Sequence, residues 1–226
     1  MFRAVLAAAL LALATQSWSQ AYPSRAVRIV VPFAVGGPAD IYGRFIAAAK
    51  SKPGVLNYAS SGPGTPYHMA GELFKYMAGV DIVHVPHKGS DQARTAVLGG
   101  QVQMMFDAIT TMAGQGRAGK VRALGTTGKA RSSVMPEVPT IAEAGVPGYE
   151  ATIWLGLMAP AGTPRPVLEK LNAEVNKIIN APDVKETWGK QGAVPMGMSV
   201  DEFGKFLHED IAKWSKLVRA TGMKVD

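Results

Sequence analysis

Val55-Leu56-Asn57-Tyr58-Ala59-Ser60-Ser61-Gly62-Pro63-Gly64-Thr65-Pro66 is the stretch whose reading decides the fold. Residues 55–60 read as a short strand, and residues 61–66 as a turn built from Gly, Pro and hydroxyl residues. Beyond the turn, Ala70, Leu73, Phe74 and Met77 recur at i, i+3, i+4 and i+7, the buried stripe of an amphipathic helix. Strand, glycine turn and helix in succession are the unit from which parallel sheets are built.

The same alternation runs outward in both directions. Downstream, residues 82–86 read as a strand, Lys88-Gly89-Ser90 as a turn and residues 91–98 as a helix. Residues 102–106 form a strand ending at Asp107, followed by a helix near residues 110–118 and a strand at 121–127. A Pro-rich passage with a short helix at 141–144 leads to a strand at 151–158. The last third turns helical: Thr163 is placed to cap a helix with Pro164 at its first position, and Leu168, Leu171, Val175 and Ile178 mark a buried face. Ser199 with Glu202 is a capping box, ahead of a helix buried along Phe203, Leu207, Trp214 and Leu217. Upstream, Ser51-Lys52-Pro53-Gly54 breaks a helix at 41–50, and residues 26–33 form an apolar, buried strand. The fold class is α/β with mostly parallel sheets.

Met1-Phe2-Arg3, an apolar run over residues 4–14 and small residues around Ser17-Trp18-Ser19-Gln20-Ala21 have the pattern of a cleaved secretory signal peptide, ending at Ser19 or Ala21. The run is well short of the ~20 residues of a transmembrane helix. There is no cysteine, which excludes disulfides and thiol chemistry. A net charge of +7 favours anionic partners. The basic residues are scattered rather than gathered into a stripe with aromatics, so a small anion is expected and nucleic acid is not.

Three turns carry the chemistry. Pro32-Phe33-Ala34-Val35-Gly36-Gly37-Pro38-Ala39-Asp40, Ser60-Ser61-Gly62-Pro63-Gly64-Thr65 and His87-Lys88-Gly89-Ser90 each follow a strand and open onto a helix. Unpaired N–H groups and the positive dipole end favour an anion there, and in open α/β sheets such turns lie beyond the carboxyl ends of the strands. None matches a phosphate loop. Ser60 or Ser61, His68 and Asp107 are the residues a nucleophilic triad would use, but no G-x-S-x-G elbow is present. His68, His84, His87 and His208 lack a metal-ligand pattern, and no cofactor is called for.

Further matching stretches extend along the chain. Tyr22-Pro23-Ser24, Val31-Pro32-Phe33, Gly36-Gly37 and Asp40 come first, then Leu56 to Gly62, Gly64-Thr65, His68 and Ala70-Gly71-Glu72-Leu73-Phe74. His84-Val85-Pro86, Lys88-Gly89, Gly99-Gly100-Gln101-Val102-Gln103, Met105-Phe106-Asp107 and Pro139-Thr140-Ile141-Ala142-Glu143 follow. Pro147-Gly148-Tyr149-Glu150 and Ala159-Pro160-Ala161-Gly162-Thr163-Pro164 complete the set. With these residues the chain resembles the Bug/TctC family, the periplasmic solute receptors of tripartite tricarboxylate transporters. The resemblance implies a non-catalytic, two-lobed, type II periplasmic-binding-protein fold that closes over a small carboxylate and hands it to membrane transporter subunits. Carried residue by residue, it assigns ligand contacts to Phe33, Gly36, Gly37, Asp40, Ser61, Gly62, Gly64, Thr65 and His68, with Lys88, Gly89, Phe106 and Asp107 as a second tier. His87 stands where the family usually has Tyr, and Val35 where it often has Pro.

One departure is large. Gly43-Arg44-Phe45-Ile46 runs directly into Ala47-Ala48-Ala49-Lys50, where family members carry a long block of the first lobe. The expected organisation is a signal peptide at 1–21, a truncated first lobe at 22–50, a second lobe at 51–150, and a return segment with C-terminal helices packing on the first lobe at 151–226. A monomer is expected, with apolar surface exposed by the incomplete lobe. Two alternatives accompany this reading: a secreted α/β hydrolase-like enzyme, and a degenerate receptor acting only through a protein partner such as a sensor kinase ectodomain.

Overall fold

The computed structural model describes residues 38–224, with side chains from Tyr42 onward. The first strand, at 26–33, and the Gly36-Gly37 turn lie outside the described residues. In chain order the elements are α1 (Pro38–Ser51), β1 (Asn57–Ser60), α2 (Pro66–Ala78), β2 (Val83–Pro86), α3 (Ser90–Leu98), β3 (Met104–Met105), α4 (Ile109–Arg117), α5 (Arg165–Ile179), α6 (Pro182–Gln191) and α7 (Val200–Thr221).

The three strands form one parallel sheet, β2-β1-β3. Tyr58 and Ala59 of the central strand pair with His84 and Val85 on one side and with Met104 and Met105 on the other. Because all three strands point the same way, the turns that follow them emerge at a single edge.

An aromatic cluster anchors the core. Phe74 of α2 is packed among Tyr42, Phe106 and Tyr149, with ring centroids 6.0, 6.0 and 6.3 Å away, the separations at which aromatic pairs attract. The Tyr149 hydroxyl donates to Ala70 O at 2.9 Å, which satisfies a polar group that burial would otherwise penalise. Tyr42 and Ala49 of α1 and Leu217 of α7 join this same core. A second, smaller core places Ala93 and Ala96 of α3 against Ala59.

The βα units stand as the sequence suggests, with boundaries shifted by a residue or two. Several other expectations are corrected. The strand at 102–106 shrinks to Met104–Met105. Residues 121–127 form no strand; a single parallel bridge joins Thr126 to Thr140. Residues 141–144 make one hydrogen-bonded turn instead of a helix, with Thr140 and Glu143 exchanging bonds at 2.9 and 3.1 Å. Residues 151–158 run without turn, bend or ladder. Strand pairs are the unit of sheet stability, and among the described residues nothing lies alongside this segment to pair with.

The C-terminal helices differ too. α5 starts at Arg165 rather than Pro164, and the Thr163 hydroxyl donates to Pro160 O instead of capping the helix. Pro166 at its second position removes one of the N–H groups a cap would have met. None of Leu168, Leu171, Val175 and Ile178 is buried; Leu171 and Ile178 are exposed. The sheet face such a stripe would cover is not there among the described residues. α6 is absent from the sequence reading, although Pro182 at its start and Gly192 in the left-handed conformation (φ 82°) at its end mark it. The capping box at the head of α7 forms as expected, Glu202 N–H to Ser199 Oγ at 3.2 Å and Ser199 N–H to Glu202 Oε2 at 2.8 Å.

Candidate functional site

The carboxyl edge of the sheet gathers three turns: residues 61–65 after β1, 87–89 after β2 and 106–108 after β3. His87 N–H donates to Ser60 O at 3.0 Å, tying the second turn to the first. Each turn opens onto a helix, α2, α3 or α4, and no side chain caps the first turn of any of the three. Uncapped helix starts present N–H groups and partial positive charge, and here three lie along one edge.

The first turn is held from within. Gly62 and Gly64 adopt φ of 125° and 70°, which a side chain disfavours. Their amides point inward: Gly62 N–H donates to Ser60 Oγ and Gly64 N–H to His68 Nδ1, each at 3.1 Å. Thr65 Oγ1 donates to Gly62 O at 2.7 Å. What the glycines offer a ligand is therefore close approach of the backbone, while the free donors belong to the first turn of α2 beyond Pro66.

Under this turn lies a stack of rings that no motif announces. His68 of α2 and His84 of β2 lie face to face with centroids 3.9 Å apart, and Tyr58 stacks on the other side of His84 at 5.0 Å. Ser60 Oγ lies 2.6 Å from His84 Nε2 and is completely buried. Because Gly64 N–H donates to Nδ1 of His68, that ring carries its proton on Nε2, which faces Glu72 Oε1 at 4.0 Å. Glu72 is buried and satisfied by the Tyr58 hydroxyl at 2.7 Å and Lys75 Nζ at 3.0 Å. Burial pushes both histidines below the usual imidazole range, His84 to about 4, and the neighbouring His68 adds to the depression of His84. Both rings are neutral at pH 7. The register Tyr58↔His84 brings these residues together; nothing in their spacing along the chain signals it.

The other candidates fall in the same neighbourhood with different surroundings. Lys88 is exposed, and Gly89 is the N-cap of α3. Phe106 is buried in the core. The Asp107 carboxylate, almost wholly buried, is paired with Arg94 and accepts from Ala108 N–H at 2.8 Å. The side chain of Tyr67 abuts it, and burial and this carboxylate raise the phenol above its ordinary range. Asp40 falls in the first turn of α1, and Phe33, Gly36 and Gly37 lie outside the described residues. Ser61, His68 and Asp107 do not assemble as a triad: among the described residues no hydrogen bond joins His68 to either, and Asp107 is committed to Arg94. No three His, Asp or Glu side chains group to hold a metal among the described residues, and no described helix is long and apolar enough to cross a membrane.

Comparison with known proteins places this edge in context. Residues 22–223 match the family model described as the tripartite tricarboxylate transporter family receptor. A UPF0065 protein of Pseudomonas sp. strain P51 is 43% identical over 176 residues, covering 77% of this chain and 52% of the relative. Among solved structures, R. palustris Rpa4515 with adipate is 34% identical with a TM-score of 0.73, covering 84% of this chain and 62% of that one. MatC of Rhodopseudomonas palustris with bound malate is 31% identical with a TM-score of 0.67, covering 81% and 62%. The chain thus spans about half to three-fifths of the length of these relatives. The α/β fold with its parallel sheet is that of the periplasmic solute-binding proteins, with the first lobe incomplete. On a match that runs from residue 22 to residue 223, the chain belongs to the family of tripartite tricarboxylate transporter receptors.

Proposed function

We propose that this chain is a periplasmic receptor that captures a small carboxylate at the carboxyl edge of its sheet, without catalysis, for delivery to the membrane subunits of a tripartite transporter. The observation that carries the reading is the convergence of three uncapped helix starts on one edge, a setting that favours an anion. Adipate and malate bound to the two related structures supply the chemical class. Ser61 and the first turn of α2 grip one carboxylate. Gly62, Gly64, Thr65 and His68 hold the loop in the shape that admits it, and Lys88 and Gly89 flank it from the second turn. Phe106 and Asp107 support the third turn from below. Phe33, Gly36, Gly37 and Asp40 close on the ligand from the other lobe.

Titration calorimetry of the purified chain with adipate, malate and citrate tests this reading. Saturable binding to at least one acid, weakened about tenfold or more by Ser61→Ala, is the expected result. Heat that does not saturate with any of them, or binding indifferent to changes throughout the turn, would refute it.

A further inference from the structure

Far from the carboxyl edge, the molecule leaves an apolar face bare. Residues 152–158 run straight, and α7 covers one side of them. Trp154 packs edge-on against Phe203 and Phe206 with centroids 5.7 and 5.4 Å away, and its Nε1 donates to Asp210 at 3.0 Å. Phe203 presses on Gly156 so closely that a Cβ there would lie 2.6 Å from the ring. By the two-residue alternation of a straight segment, the neighbouring residues face away. Leu155 and Leu157 are 99% and 76% exposed.

These leucines, with Leu171 and Ile178 of α5 and Val194 after α6, border an open groove of about 2080 Å³. That is larger than the ~300–1,000 Å³ of a small-molecule site. Among the described residues no backbone hydrogen bond reaches residues 152–159, so the segment presents the row of free N–H and C=O groups that recruits another chain.

We propose that this face is the interface of a homodimer: residues 152–158 of two copies pair edge to edge about a twofold axis, and each Leu155 and Leu157 enters the groove of the other copy. Three observations favour a second copy as the occupant. The exposed side chains offer on the order of 600 Å² of apolar surface per copy, so a twofold contact hides about 1,200 Å², the lower bound of a stable interface. A single unpaired segment is self-complementary about a twofold axis and closes the assembly at two chains. Residues 152–159 carry no charge, so chains of net charge +7 meet where mutual repulsion is weakest. The monomer expected from the sequence is revised accordingly.

Light scattering over a concentration series, with the full chain, reads the outcome. The expected result is a dimer whose dissociation constant rises roughly 100-fold or more in Leu155→Asp, with an unchanged circular dichroism spectrum because this side chain touches nothing in the monomer. The chain has no cysteine, so Leu155→Cys gives an independent report: oxidation should yield a covalent dimer, and the control Tyr76→Cys, exposed on α2, should not. A monomer at all concentrations overturns the proposal, including one whose 152–158 amides resist hydrogen exchange because the chain's own residues 26–33 cover them. A dimer indifferent to Leu155→Asp overturns it as well.

Discussion

Two helices of similar length and similar apolar periodicity, α2 and α5, meet opposite fates. α2 buries seven residues, among them Phe74 at 1% exposure. α5 buries none. The difference lies not in the helices but in what they pack on. α2 lies against a three-stranded sheet whose strands pair in register, whereas α5 faces residues 152–158, a lone segment without a ladder. An amphipathic stripe states what a helix could cover, and burial needs a partner surface to be there.

The contrast predicts unequal costs for equal truncations. Phe74→Ala should cost about 3–5 kcal/mol, enough to unfold a marginal domain. Leu171→Ala should cost less than about 1 kcal/mol, read from urea midpoints at concentrations low enough to keep copies apart. Comparable losses at both positions would erase the distinction between the two regions.

Adding a methyl sharpens the same comparison. At Gly71 a Cβ would lie 2.2 Å from the buried ring of Tyr58, so Gly71→Ala should destabilise by about 1–3 kcal/mol. At Gly189, in α6, nothing lies within 4 Å of the new atom. There the substitution removes only the backbone freedom of glycine and should stabilise by about 0.5–1 kcal/mol. Thermal midpoints moving in opposite directions would bear this out.

The histidine stack gives the first region a pH dependence that the second lacks. Folded His84 titrates near 4 and His68 also below its usual range, while both have ordinary values in the unfolded chain. The unfolded state therefore binds more protons between the two limits, and stability is lost as pH falls from about 6.5 towards 4. His84 keeps part of its surface in water, so its share is about 1–2 kcal/mol, below the full shift. His84→Gln should flatten this loss between pH 6.5 and 4 relative to the parent chain. An identical acid profile in the variant would remove His84 from the account.

Much of the first region was legible because its signals are local. The glycine turn at 61–65, the stripe on α2 and the parallel alternation need only neighbouring residues to be read, as does the capping box of Ser199 and Glu202. The second region misled for the same reason. Residues 151–158 have a strand's composition and α5 has a buried helix's stripe, yet each depends on partners that local pattern cannot report. The stacking of His68 on His84, the committed ion pair of Arg94 with Asp107 and the inward-turned amides of Gly62 and Gly64 arise from register and chain crossing. α6 went unread because its few apolar residues make no stripe, although Pro182 and Gly192 bracket it.

The central claim is that an acid binds where the three helix starts converge, and amide NMR tests it residue by residue. Titration with adipate should move the resonances of residues 61–68 and 88–91 saturably and together, leaving those of α5 and residues 152–158 in place. Shifts confined to the bare groove, or none at all at millimolar adipate, malate and citrate, would contradict it.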